Sequence, residues 1–356
     1  YAIERSLVTS LISEKIGMTM HVLNCAASLI VPSCIIWYFL SSPIIGAMLM
    51  MQSIITWMKL ISYAHANSDY RTNKNVNSHG SLDALISDLD PRESRLAYPK
   101  NVTLKNIYYF WLAPTLTYQI AFPRSGPTRW PKVFTILIRM SICVTLLSFF
   151  LGQIFAPALN DLVESLEADE AAKLSVDDIF TFVLKLAIAN TYCWLIGSYL
   201  FFHLYLNLLA EILQFGDRVF YKDWWNSSDV SSYWRLWNMP VHYWLVRHVY
   251  FPSIRRLHIS KNTASFIVFF VSAVLHEIII SIPFHMIRWW SFLGMMGQIP
   301  LVAFTKRIDK YMPGSSIGNM IFWMSFCVVG QPMAVLFYTI DYWTLKSDGK
   351  ICEIKE

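Results

Sequence analysis

The chain has 356 residues, of which 55% are hydrophobic, 15% aromatic and only 15% charged. Soluble domains carry about 25% charged residues, so this composition, with a mean hydropathy of +0.41, excludes an ordinary water-soluble enzyme and argues for several membrane crossings. The net charge of +5 is too small for this length to imply nucleic acid; it suits basic loops at an anionic membrane face or around a polyanionic cosubstrate.

In chain order, the apolar run 21–40, broken by Pro32, predicts a first span, and the run 43–62 after a Ser-Ser-Pro turn predicts a second, the two forming a helical hairpin. Residues 65–100 turn polar and lose periodicity, which reads as a solvated loop. Residues 106–119 are aromatic but short, with Pro114 mid-run, and predict an interfacial or re-entrant piece. The basic turn PRSGPTRWPK (123–132) follows, then a span over 134–159 and an acidic stretch, 161–178. By the positive-inside rule the basic turn faces the cytosol and the acidic stretch the lumen. The apolar stretch 180–215 is too long for one perpendicular helix, so it must tilt, project or break near Gly197. Residues 216–261 mix five tryptophans with Arg247, Arg255, Arg256 and Lys261, a composition suited to a membrane interface. Spans over 263–287, 291–305 and 319–343 bring the expected total to seven or eight, and the fold class to an all-α polytopic membrane protein. No paired Gly/Pro-interrupted segments in two matching halves favour a transporter. The chain begins at Tyr1, so a longer protein with a further N-terminal region is expected.

The six cysteines lack CxxC spacing and read as inert, with no disulfide framework and no metal site. No GxSxG, Walker, GxGxxG or HExxH pattern occurs. Chemistry centres instead on His276, in SFIVFFVSAVLHEIIISIP, with Glu277 beside it and Ser272 one turn earlier. An ionisable group at bilayer depth costs about 2.5 to 3.5 kcal/mol on insertion scales, which makes it a functional candidate. The bland alternative is an interhelical hydrogen bond. His276 and Glu277, one residue apart, point about 100° from each other and cannot both pack passively against one neighbour. In WNMPVH (237–242), Asn238 reads as a helix N-cap and Pro240 as a first-turn residue, with His242 one turn on. In FYKDWWN (Phe220, Tyr221, Asp223, Trp224, Trp225 and Asn226 with Lys222), Asp223 is expected to pair with Lys222 or Arg218. Gln298 and Gln331 are polar groups inside apolar segments, each near a proline. The sequon Asn101-Val102-Thr103 lies beside a turn expected in the cytosol, out of reach of lumenal glycosylation.

Together YAHANSDYR, YPKNVTLKNIYYFWLAPTLTYQIAFPRS, EILQFGDRVFYKDWWN, WNMPVHYWLVRHVY, SAVLHE, GMMGQIP and GQPMAVLFYTIDYW run through nearly the whole chain. In these segments it resembles the membrane-bound O-acyltransferases, in the branch of the acyl-CoA:diacylglycerol and acyl-CoA:sterol enzymes, and WNMPVHYW with GMMGQIP and GQPM resembles the diacylglycerol side. The resemblance implies one membrane-embedded domain, residues 1–356, with an intramembrane tunnel. It implies a catalytic histidine at His276 with Asn238 and Glu277 as polar partners. His242, Ser272, Gln298, Gln331, Tyr250, Trp237, Met295, Arg247, Arg255 and Arg256 are then substrate-binding residues. It further implies acyl-CoA and diacylglycerol as substrates, no cofactor, an endoplasmic reticulum location and a homo-oligomer. One position departs: Arg235 stands where a glutamine is expected. A sterol or long-chain alcohol acceptor, or a transporter or scaffold without chemistry, are the alternatives.

Overall fold

The computed structural model describes residues 1–39, 42–76, 97–167 and 175–347. In chain order its helices are α1 (Ala2–Val8), α2 (Glu14–Phe39), α3 (Pro43–Val76), α4 (Leu104–Leu112), α5 (Trp130–Glu167) and α6 (Val176–Ile212). There follow α7 (Val230–Leu236), α8 (239–255), α9 (Lys261–Ser281), α10 (Trp290–Met296), α11 (Gln298–Tyr311) and α12 (317–347). No strand occurs among the described residues, only a lone bridge between Arg124 and Phe215. Six of these helices, α2, α3, α5, α6, α9 and α12, are long and apolar enough to cross a membrane.

Three sequence expectations need correction. The expected break at Pro32 does not occur, since α2 runs through it; a membrane helix tolerates the lost hydrogen bond because neighbouring groups re-satisfy the freed carbonyl. The expected span 291–305 is instead two short helices, α10 and α11, meeting at Gly297. The loop expected from residue 65 begins later, because α3 continues through HANSDYR to Val76. Asn67 and Arg71 of this stretch face protein partners, while Ser68 and Asp69 stay exposed. Asn101 Nδ2 donates to Asn67 Oδ1 at 2.8 Å and to the Tyr118 hydroxyl at 3.0 Å, and Arg71 bonds Glu14 at 2.8 Å and the fully buried Glu4 of α1. Residues 77–96 of the expected loop, residues 168–174 of the acidic stretch, and Cys352 lie outside the described residues.

The 180–215 run forms one helix rather than two. α6 has 37 residues, about 55 Å at 1.5 Å per residue, against about 30 Å of hydrocarbon, so it tilts or projects. Its start is set by a reciprocal Ser175–Asp178 capping box. A wide π turn, Tyr199–Tyr205, follows Gly197, and similar turns interrupt α5, α8 and α12.

α4, with nine residues, is too short to span, and Thr103 caps its start. Its far end is held by Lys59 of α3, whose Nζ donates to the carbonyls of Phe110, Trp111 and Ala113 at 2.9, 2.8 and 2.7 Å. A helix end leaves carbonyls unpaired, and a buried ammonium with three donors meets that need. Lys59→Met is therefore expected to destabilise the protein by about 2 kcal/mol, the cost of stranding buried acceptors, read as a lower melting temperature in detergent.

Candidate active site

α9 is capped by Ser260, whose hydroxyl accepts from the Thr263 N–H at 3.2 Å. Four turns on, His276 Nδ1 lies 2.7 Å from the Ser272 carbonyl oxygen and 3.4 Å from the Ser272 hydroxyl. A carbonyl only accepts, so Nδ1 carries the proton and Nε2 is the basic nitrogen.

Glu277, 4% exposed, turns the other way. Its carboxylate accepts from the Tyr338 hydroxyl at 2.9 Å, from the backbone N–H groups of Trp289 at 2.9 Å and Phe292 at 3.1 Å, and from Ser281. The Tyr338 hydroxyl also accepts from the Ser291 N–H at 3.1 Å. The first turn of α10 is thus capped from α9 and α12, after a turn in which His285 and Trp289 adopt left-handed φ of 53° and 63°. No hydrogen bond joins Glu277 to His276 among the described residues. The geometry makes Glu277 the anchor of the segment that carries Met295 and Gln298.

Asn238 caps α8, its Oδ1 accepting from the Val241 N–H at 3.1 Å, with Pro240 in the first turn. Its Nδ2 has no acceptor among the described residues. α8 and α9 are neighbours, with Trp244 buried in a cluster against which Leu275, Ile278 and Ile279 pack. Trp237 lies among the rings of Trp194, Phe202 and Tyr233. Gln298 accepts from Trp234 Nε1 at 3.4 Å, and Gln331 accepts from Asn190 at 2.9 Å, joining α12 to α6. His242 is held below its ordinary pKa, by burial first and then by Arg235 and Lys222. Arg235 itself is exposed and bonds Ser232 at 3.1 Å.

Arg247 and Arg255 of α8, with Arg256 just beyond its end, edge a cleft of about 820 Å³ that also includes Pro240, Tyr243 and Gln119. Arg247 reaches the Tyr118 carbonyl at 2.9 Å, Arg255 lies over the Phe251 ring, and Arg256 approaches Asp69 at 3.4 Å. Tyr250 packs beside Phe251 at 5.7 Å and does not line the cleft, nor does His276. In FYKDWWN, Phe220 and Trp224 are buried and Trp225 is exposed. Tyr221 bonds His203 of α6 at 2.7 Å, and the Trp225 carbonyl accepts from Asn319 at 2.9 Å; Asn226 ends the short turn Trp224–Asn226. Asp223 makes no ion pair among the described residues, against expectation: Arg218 is taken at 2.6 Å by Glu211, which also binds Arg129 at 2.9 Å.

Sequence reasoning passed over His248, 8% exposed. Its Nε2 lies 2.8 Å from the Ser62 hydroxyl and its Nδ1 3.2 Å from Nδ1 of His65. Burial, then His65 and Arg247, pushes its pKa from 6.5 down to about 3. Between those values the unfolded chain binds more protons than the folded one, so stability rises with pH and is lost on acidification. The expected loss is up to about 1.4 kcal/mol per pH unit below pH 6.5. Melting curves across that range should show a shallower slope for His248→Gln.

A helical membrane bundle carrying a half-buried, singly oriented histidine beside an asparagine-capped helix and an arginine-edged cleft defines a class, and the family profile described as "MBOAT, membrane-bound O-acyltransferase family" matches residues 47–339. The chain belongs to that family. It is 40% identical over 348 residues to Diacylglycerol O-acyltransferase 1C of Glycine max, covering 98% of this chain and 65% of that protein. It is also 40% identical to Diacylglycerol O-acyltransferase 1 of Corylus americana, over 96% of this chain and 61% of that one, and of Dictyostelium discoideum, over 95% and 52%. The chain thus spans about two thirds or less of these relatives' length.

Proposed function

We propose that the chain transfers a fatty acyl group from acyl-CoA to the free hydroxyl of diacylglycerol, giving triacylglycerol and CoA, in the endoplasmic reticulum membrane. The observation that carries this reading is the His276 tautomer. With Nδ1–H donated to the Ser272 carbonyl, Nε2 is free to accept a proton.

The acceptor oxygen attacks the thioester carbonyl as Nε2 takes its proton, a role worth typically 10²- to 10⁴-fold. The tetrahedral intermediate then expels the CoA thiolate, which recovers that proton from the imidazolium. Asn238 Nδ2 serves as a donor to the developing oxyanion. Arg247, Arg255 and Arg256 supply charge for the phosphates of CoA on the cytosolic side, while diacylglycerol enters from the bilayer. Trp237, Met295, Gln298, Gln331, His242 and Tyr250 serve the acyl and acceptor chains, and Ser272 orients the base. Glu277 acts by holding α10, and assembly as a dimer or tetramer belongs to the same reading.

Purified protein given oleoyl-CoA should release CoA with diacylglycerol but not with cholesterol or without acceptor. Release only with cholesterol would move the acceptor to sterols; no release with any acceptor would return the chain to a transporter or scaffold.

A further inference from the structure

α5 and α6 enclose a second cavity, of about 440 Å³, lined by Lys132, Thr135, Arg139, His203 and Asn207 among others. It is separate from the arginine-edged cleft and shares none of its lining residues. Lys132 and Arg139 lie two turns apart on one face of α5. Arg139 sits nine residues beyond Trp130, about 13 Å into the helix, and His203 sits nine residues before Ile212, so the two antiparallel helices bring them to one depth.

Arg139 is exposed on a membrane-spanning helix, yet no acid and no hydrogen-bond acceptor engages it among the described residues. An arginine without a protein partner on an apolar membrane helix is placed to take an anion. The local charge is not balanced: Glu211 lies 3.8 Å from Lys132 but is already bound by Arg129 and Arg218. His203 has its Nδ1 committed to the Tyr221 hydroxyl at 2.7 Å, which leaves Nε2 as its remaining polar atom. Basic pockets between membrane helices are the sites that take lipid headgroups.

We infer that the α5–α6 groove binds the phosphoryl headgroup of an anionic phospholipid, with Lys132 and Arg139 as its cationic contacts and His203 as a further polar contact. The acyl chains of the lipid lie along the apolar outer face of α5, where Phe134, Leu137 and Ile138 are exposed. The source is the bilayer, since the groove is cut into two membrane-spanning helices and Arg139 lies well inside its own. His203, which lines the cavity, in turn bonds Tyr221 of the FYKDWWN segment at 2.7 Å.

The test is native mass spectrometry of the purified full chain with equal amounts of phosphatidylglycerol and phosphatidylcholine of matched acyl chains. Wild type should retain phosphatidylglycerol selectively. Lys132→Gln and Arg139→Gln should each weaken that retention roughly fivefold and the pair roughly thirtyfold, the worth of one and two cations near an anionic surface. Arg139→Lys should keep it, which separates lost charge from lost fold. Lys105→Gln, an exposed cation outside the groove, should change nothing. Equal retention in wild type and the double variant, equal loss in Lys105→Gln, or displacement by inorganic phosphate would each overturn the assignment.

Discussion

His276→Ala is expected to lower CoA release from oleoyl-CoA and diacylglycerol by 10²- to 10⁴-fold, the contribution typical of a positioned general base, while the protein stays monodisperse. The companion variant Ser272→Ala is expected to lose less than about tenfold, because the short bond to Nδ1 comes from the backbone carbonyl at 2.7 Å and the hydroxyl stands off at 3.4 Å. The pair separates two chemistries. A covalent acyl-serine route would need the Ser272 hydroxyl and would fall with Ser272→Ala as far as with His276→Ala. Full activity in purified His276→Ala would sink the proposed mechanism.

The second large effect is on Glu277. Removing its carboxylate in Glu277→Ala strands two backbone N–H groups and two hydroxyls in a site that is 4% exposed. Each buried donor left alone costs about 1–3 kcal/mol, so a loss of about 4 kcal/mol or more in stability is expected, visible as a fall in melting temperature. Glu277→Gln keeps one acceptor oxygen and should lose about half as much. If Glu277 set the protonation of His276, the glutamine variant would move the pH dependence of kcat. If it holds α10, that profile stays in place while stability falls.

Much of the site follows from local sequence, because its devices are local. The cap at Asn238 is read from Asn followed by Pro two residues on, and the Ser272–His276 contact from helical spacing. What escaped was decided by partners distant in sequence. HANSDYR looks solvated until Glu4, Glu14 and Asn101 arrive to receive it. The lone Lys59 in an apolar run was itself a signal, but its carbonyl partners lie more than fifty residues away. Asp223 and Arg218 are near in sequence, yet Glu211 wins the arginine through the turn that closes α6 onto residues 123–129. Pro32 and the 291–305 run show the complementary limit: apolar composition marks membrane depth but does not say where a helix stops.

The enclosure of Asn101 bears on whether its sequon can carry a glycan, independently of the charges around it. Sugar addition in the secretory pathway acts on the emerging polypeptide, before this asparagine could hide, and the amide it would modify is the one donated to Asn67 and Tyr118 at a fully buried position. An oligosaccharide there would have no room once α3 and the 97–118 segment closed on it. The fold therefore requires the Asn101 amide to remain unmodified. Endoglycosidase treatment of the protein made in eukaryotic cells should leave its electrophoretic mobility unchanged on account of this sequon, and a glycan mapped to Asn101 would contradict the packing of these two segments.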